Sequence, residues 1–179
     1  GRFAVESAED LDAALLRCEE DLLAEVLGPR DHLVVELGDQ PLLAGLSDAE
    51  IATLSALADR RALAPGDVLC HEGEASAEIW FIRSGTLRVQ VDLPDGAPKR
   101  LLTMGPGSAV GEIALLDGGP RSATVVAETA VDVTGLSLAA LEEAGAGHPG
   151  LTATLYRNLG RLLAWRLRRT TEQVRGLEQ

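Results

Sequence analysis

The sequence predicts a mainly β fold, a barrel or jelly roll of short strands, flanked by helices and closed by one long helix. Three observations lead there. Apolar residues recur at helical spacing up to Asp59, and from Ala64 onward the period changes to two. Turn signals then follow at short intervals: Pro65-Gly66, Glu72-Gly73, Ser84-Gly85, Pro94-Asp95-Gly96 and Gly105-Pro106-Gly107. After Pro149 the pattern turns helical again and continues to Leu177.

Residues 7–27 read as an amphipathic helix, with Ser7 as N-cap and Leu11, Ala14, Leu15, Cys18 and Leu22 at helical spacing; Gly28-Pro29 ends it. A linker follows at 29–40. Residues 41–59 give a second helical stretch, in which Ser47-Asp48-Ala49-Glu50 is a capping box. Strands are expected at 68–70, 78–83, 86–91, 100–103, 122–127 and 131–136. Leu87, Val89 and Val91 alternate with Thr86, Arg88 and Gln90, as a half-buried strand requires. Ser137 caps a short helix ending at Glu143, and Gly145-Ala146-Gly147-His148-Pro149 reads as a hinge. On the final helix Tyr156, Gly160, Leu163, Leu167, Thr170, Val174 and Leu177 fall at alternating four- and three-residue steps. That heptad seam predicts a helix that packs on its twin, folds over a pocket, or does both. The expected organisation is therefore a helical segment at 1–28, the linker, a β-roll at 41–148 and the C-terminal helix at 149–179.

Composition narrows the function. With 179 residues and 46% hydrophobic content, the chain can bury one proper core. No apolar run reaches the roughly 18 residues of a membrane span, and no secretory signal is visible, so a cytoplasmic setting is expected. Cys18 and Cys70 read as reduced, buried thiols. A net charge of −12 argues against nucleic acid as a partner, and 3% aromatics leave few stacking platforms. His32, His71 and His148 are scattered without metal-ligand spacing, and no nucleophile–base pattern or P-loop is present. Hence no catalytic residue, metal or cofactor is expected.

One stretch carries chemistry: Gly111-Glu112-Ile113-Ala114-Leu115-Leu116-Asp117-Gly118-Gly119-Pro120-Arg121-Ser122-Ala123-Thr124. A carboxylate and a guanidinium flank a short apolar turn. Glu112 can accept from a sugar hydroxyl, and Arg121 can grip a phosphate through two parallel N–H bonds. If Glu112 opens a helix, the N–H groups of Ile113 and Ala114 stand at its positive end. The bland reading is a surface loop in which Glu112 and Arg121 pair with each other.

This stretch closely resembles the phosphate-binding cassette of the cyclic nucleotide-binding domain family, found in protein kinase A regulatory subunits and the catabolite activator protein. The family's ordered Gly-Glu, Ala, Pro-Arg and small-Ala-Thr positions are matched without a gap. Gly66, Gly73, Gly85 and Gly107 sit where the family also turns, so the resemblance runs over about 41–177. It implies the double-stranded β-helix (jelly roll) of that family and a regulatory, non-enzymatic role. It places Glu112 on a ribose 2′-hydroxyl and Arg121 on a cyclic phosphate. The amides of Ile113, Ala114 and Ser122 surround the same ligand, with Gly111 and Ala123 completing the contact set. The ligand is expected to be cAMP rather than cGMP. Residues 170–177 resemble the dimer-forming helix of the catabolite activator protein, which puts Thr170 and Thr171 on the base once one extra helical turn after Pro149 is allowed. Trp165, Tyr156 and Arg161 are rival caps. A homodimer through the C-terminal helix is implied as well.

Residues 3–23 resemble the last strand and helix of a STAS domain, which precedes cyclic nucleotide modules in some sulfate-type transporters and some bacterial glutaminases. An ordinary N-terminal helix fits the same residues. The first reading makes the chain part of a larger protein and an upstream domain its partner. The alternatives are a degenerate fold serving as a structural or dimerisation module, and the sensor part of a transcription regulator.

Overall fold

The computed structural model describes residues 33–93 and 98–176, with side chains of the last helix described through 168 and at 171. The helix expected at 7–27 and the Pro94-Asp95-Gly96 turn lie outside the described residues. Two 3-10 turns, Leu37–Asp39 and Pro41–Leu43, lead into α1 (Asp48–Leu57). Then come β1 (Asp59–Leu63), β2 (Val68–Cys70), β3 (Glu78–Ser84), β4 (Leu87–Asp92), β5 (Pro98–Met104) and β6 (Ala109–Val110). The chain continues through α2 (Glu112–Asp117), β7 (Thr124–Ala127), β8 (Val131–Ser137), α3 (Leu138–Gly147) and α4 (Pro149–Gly176). Two four-stranded antiparallel sheets, β1-β8-β3-β6 and β2-β7-β4-β5, form the expected jelly roll.

β3 explains how one roll supports two cores. Its run Ile79-Trp80-Phe81-Ile82 is apolar on both faces, as a strand covered on both sides must be. Trp80 and Ile82 enter the core between the sheets, with Leu87, Val125 and Val133. Ile79 and Phe81 enter a second core shared with Leu54, Leu141, Leu151, Leu155 and Leu159 of the helices. The helical layer is thus fastened to the sheet that also supports the cassette.

Local signals set the helix starts. Ser47 Oγ accepts from Glu50 N–H at 3.4 Å, and the Glu50 carboxylate accepts from Ser47 N–H at 2.7 Å, completing the capping box. The bonds this carboxylate accepts from Ser47 N–H and Ser47 Oγ–H hold the Glu50 carboxyl below its ordinary value. Ser137 caps α3 by accepting from Ala140 N–H at 3.1 Å.

Strand ends shift by one or two residues and β6 was not expected, but the largest departures are two. The stretch 41–59 is not one helix, and a strand, β1, begins before Ala64. β1 is exposed except for Leu63 and is held by its ladder to β8, so it shows no alternation to read. The second correction is at the hinge. α3 does not stop at Glu143 but continues to Gly147, and the break falls at His148. Gly145 lets the two helices close up, because a Cβ there would overlap Thr152 Oγ1 of α4. His148 Nε2 lies 3.1 Å from Thr53 Oγ1, tying the break to α1.

α4 presents two stripes. Leu151, Leu155 and Leu159, four residues apart, are buried against the body. Asn158 Nδ2 donates to the carbonyls of Leu42 and Ala44 at 3.0 and 2.9 Å. Of the seam residues, Tyr156, Gly160 and Leu167 are exposed, Leu167 to 69%. Among the described residues no helix is long and apolar enough to cross a membrane.

Candidate functional site

The site is assembled from three parts of the chain. β6 delivers Gly111, whose φ of +89° lies in the left-handed region and turns the backbone into α2. A Cβ on Gly111 would overlap Arg121 Nη1 and sit 2.5 Å from the Glu78 carbonyl oxygen, so only glycine permits this approach. The loop 71–77 is stitched to the entrance of β7. Gly73 N–H donates to Arg121 O at 2.8 Å, Arg121 N–H donates to Glu74 O at 2.9 Å, and Ala75 bridges Pro120.

Arg121 points inward and is 4% exposed. Its Nη1 donates to Glu78 O and its Nη2 to Ser76 Oγ, each at 2.8 Å. Nε is buried and has no partner among the described residues. Among the described residues no carboxylate lies within salt-bridge distance of this guanidinium. Burying a lone charge costs several kcal/mol, about as much as a domain's spare stability. An uncompensated buried cation is therefore an anion site, or it is a standing cost.

Glu112 is buried to a similar degree, 3% exposed, but for a different reason. Arg166 of α4 covers it, with Nη1 on Glu112 Oε1 and Nη2 donating to Ala109 O at 3.1 Å. Glu112 and Arg121 do not pair with each other, which removes the bland surface-loop reading. The long helix thus rests on the cassette through a charge-assisted contact.

The remaining predicted residues divide clearly. Ala114 and Ala123 are buried beside Gly111 and Arg121, whereas Ile113 and Ser122 are exposed. Thr171 is exposed, and its hydroxyl donates to Leu167 O at 2.8 Å, within its own helix. The Thr170 side chain lies outside the described residues. Tyr156, Arg161 and Trp165 are exposed on α4. Sequence reading missed Ser76 and Arg166. Ser76 had no signal, whereas Arg166 lies one helical turn before Thr170, which the sequence led us to expect at the ligand. Cys70 is a free, buried thiol; burial pushes its pKa up, outweighing the nearby Arg121 charge that pulls it down. Among the described residues no cluster of His, Cys, Asp or Glu is placed to hold a metal.

Residues 60–148 match the family model of the cyclic nucleotide-binding domain. The chain belongs to the cyclic nucleotide-binding domain family. Its domain is similar to Glutaminase 1 of Bradyrhizobium diazoefficiens, 39% identical over 158 residues, covering 88% of this chain and 25% of that one. It is also similar to the crystal structure of the N-terminal domain of a transcriptional regulator from Streptomyces coelicolor A3(2). That match is 33% identical with a TM-score of 0.65 and covers 77% of this chain and 94% of that one. The regulatory domain of Toxoplasma gondii PKA, crystallised with cAMP, is 27% identical with a TM-score of 0.56, covering 60% and 41%. The chain spans about a quarter of the length of the glutaminase it matches. The cyclic nucleotide-binding domain is a regulatory module, and its family implies a cyclic nucleotide ligand.

Proposed function

We propose that this domain senses cAMP, in preference to cGMP, and passes the signal on through α4. The observation that carries the reading is Arg121, a buried guanidinium with two neutral acceptors, an unpartnered Nε and no counter-ion among the described residues. A cyclic phosphate supplies the missing charge. The crystallisation of the Toxoplasma relative with cAMP supports adenine as the base.

Glu112 takes the ribose 2′-hydroxyl in this reading, and that makes the ligand a competitor or co-partner of Arg166. A hydroxyl donating to Glu112 changes the charge balance under α4, so the helix position responds to occupancy. The size of the response equals the difference in ligand affinity between the two helix positions. Leu115 of α2 shares one apolar cluster with Leu138, Leu141 and Leu151 of the hinge helices, so a change at the cassette is felt where α3 meets α4. Thr170 and Thr171 reach the base if Thr171 gives up its bond to Leu167 O. The exposed seam around Leu167 takes a second copy of the chain. The glutaminase match supports an enzyme as the regulated parent, with the signal passing to a domain outside this sequence.

Calorimetric titration tests this. One cAMP per chain should bind, cGMP more weakly, and adenosine, which lacks the phosphate, not measurably. Glu112→Ala should erase the preference for cAMP over its 2′-deoxy analogue, a loss of about tenfold in discrimination for one charged hydrogen bond. Undiminished discrimination in that variant would assign Glu112 to Arg166 alone.

A further inference from the structure

We propose that Ser76 is a positioning residue of the phosphate site, holding Arg121 through a neutral acceptor so that the guanidinium charge stays available to the ligand. The inference rests on the cyclic nucleotide reading above and extends the site beyond the cassette to the loop at 71–77. Ser76 Oγ accepts from Arg121 Nη2 at 2.8 Å and is the one side chain that bonds the guanidinium among the described residues, the other partner being the Glu78 carbonyl. Ser76 itself is half-buried.

The loop cannot drift away from the arginine it holds. Gly73 N–H donates to Arg121 O, Arg121 N–H donates to Glu74 O, and Ala75 is bridged to Pro120. Ser76 therefore rides on the backbone that also carries Arg121. With Nη1 fixed on a carbonyl and Nη2 on the hydroxyl, the plane of the guanidinium is set, and Nε is the edge left without a partner among the described residues.

The choice of a hydroxyl matters. It accepts from the guanidinium with one lone pair and retains its own O–H, which can donate to a phosphate oxygen. A carboxylate at the same place would fix Arg121 equally well. It would also neutralise the charge and repel the ligand. Ala75 and Ala77 on either side bring no polar group, so the whole contribution rests on one oxygen.

The test compares the wild type with Ser76→Ala, Ser76→Thr and Ser76→Asp, using calorimetry with cAMP and cGMP and thermal melting without ligand. Ser76→Ala should weaken both nucleotides by the same factor, about fivefold or more for a lost charged hydrogen bond, because both carry the same phosphate. Discrimination against 2′-deoxy-cAMP should stay unchanged, and Ser76→Thr should restore affinity. Ser76→Asp should weaken binding further while raising the melting temperature of the ligand-free protein. Those opposite signs are what a purely structural role would not produce. Wild-type affinity in Ser76→Ala, or tight binding with unchanged melting in Ser76→Asp, overturns the inference alone. A wild-type protein that binds neither nucleotide overturns the proposed function, and this inference with it.

Discussion

Arg121→Met should lower affinity for cAMP at least tenfold while leaving the ligand-free protein as stable as the wild type or more so. The two halves have one cause. Among the described residues the buried guanidinium has only Ser76 Oγ and Glu78 O as partners, and Nε has none. Replacing a buried charge by an apolar side chain of similar length is often neutral or stabilising, by about 1–4 kcal/mol where pairs have been replaced. The lost hydrogen bonds to Ser76 and Glu78 offset part of that gain, so the predicted melting temperature is equal or higher. Binding loses a charge-assisted contact worth about 1.5–3 kcal/mol, which is roughly 10- to 150-fold. Melting curves and calorimetry on the same preparation check both halves. A melting temperature that falls in step with affinity would mean Arg121 is structural.

Gly111→Ala should lose affinity as well, but with the opposite effect on stability. At φ +89° an alanine pays about 1–2 kcal/mol for the left-handed backbone. Its Cβ would in addition overlap Arg121 Nη1 and press to 2.5 Å on the Glu78 carbonyl, the acceptor that orients the guanidinium. Arg121 has to leave its position or β6 has to move. Affinity for cAMP should fall at least tenfold, and melting should drop by several degrees, since about 1 kcal/mol moves a domain of this size by about 2–4 °C. Unchanged affinity in Gly111→Ala would show that Arg121 can work from another orientation. The pair of variants separates a residue needed for charge from one needed for space.

Much of this architecture was legible because it is written locally. Ser47 and Ser137 announce their helices through side chain–backbone bonds within three residues. The alternation of Leu87, Val89 and Val91 marks a strand whose partners lie on both sides, β7 and β5. The candidate site was legible as a local pattern, because Gly111, Glu112 and Arg121 are close in sequence and chemically distinct. What escaped was tertiary. β1 takes its structure from β8, more than sixty residues onward, as the register of Asp59 with Gly135 shows. Arg166 meets Glu112 across a separation of 54 residues, and Ser76 meets Arg121 across 45. Neither pair has a local pattern. The extension of α3 through Gly145 was hidden for a related reason. A glycine usually weakens a helix, and here the close approach of Thr152 selects it.

Arg166 also qualifies the chemistry read from the sequence. A carboxylate that looked free to meet a ribose is already engaged by the helix that the ligand is proposed to move. In the proposed mechanism, sensing and transmission share one acidic side chain.

The most direct test of the account is the Arg121 Nε–H signal in ¹⁵N-edited spectra, assigned by its disappearance in Arg121→Met. The account predicts that cAMP shifts this signal as a phosphate oxygen reaches the guanidinium, and that adenosine at the same concentration leaves it in place. A signal unmoved by saturating cAMP would contradict the claim that this buried cation is where the nucleotide binds.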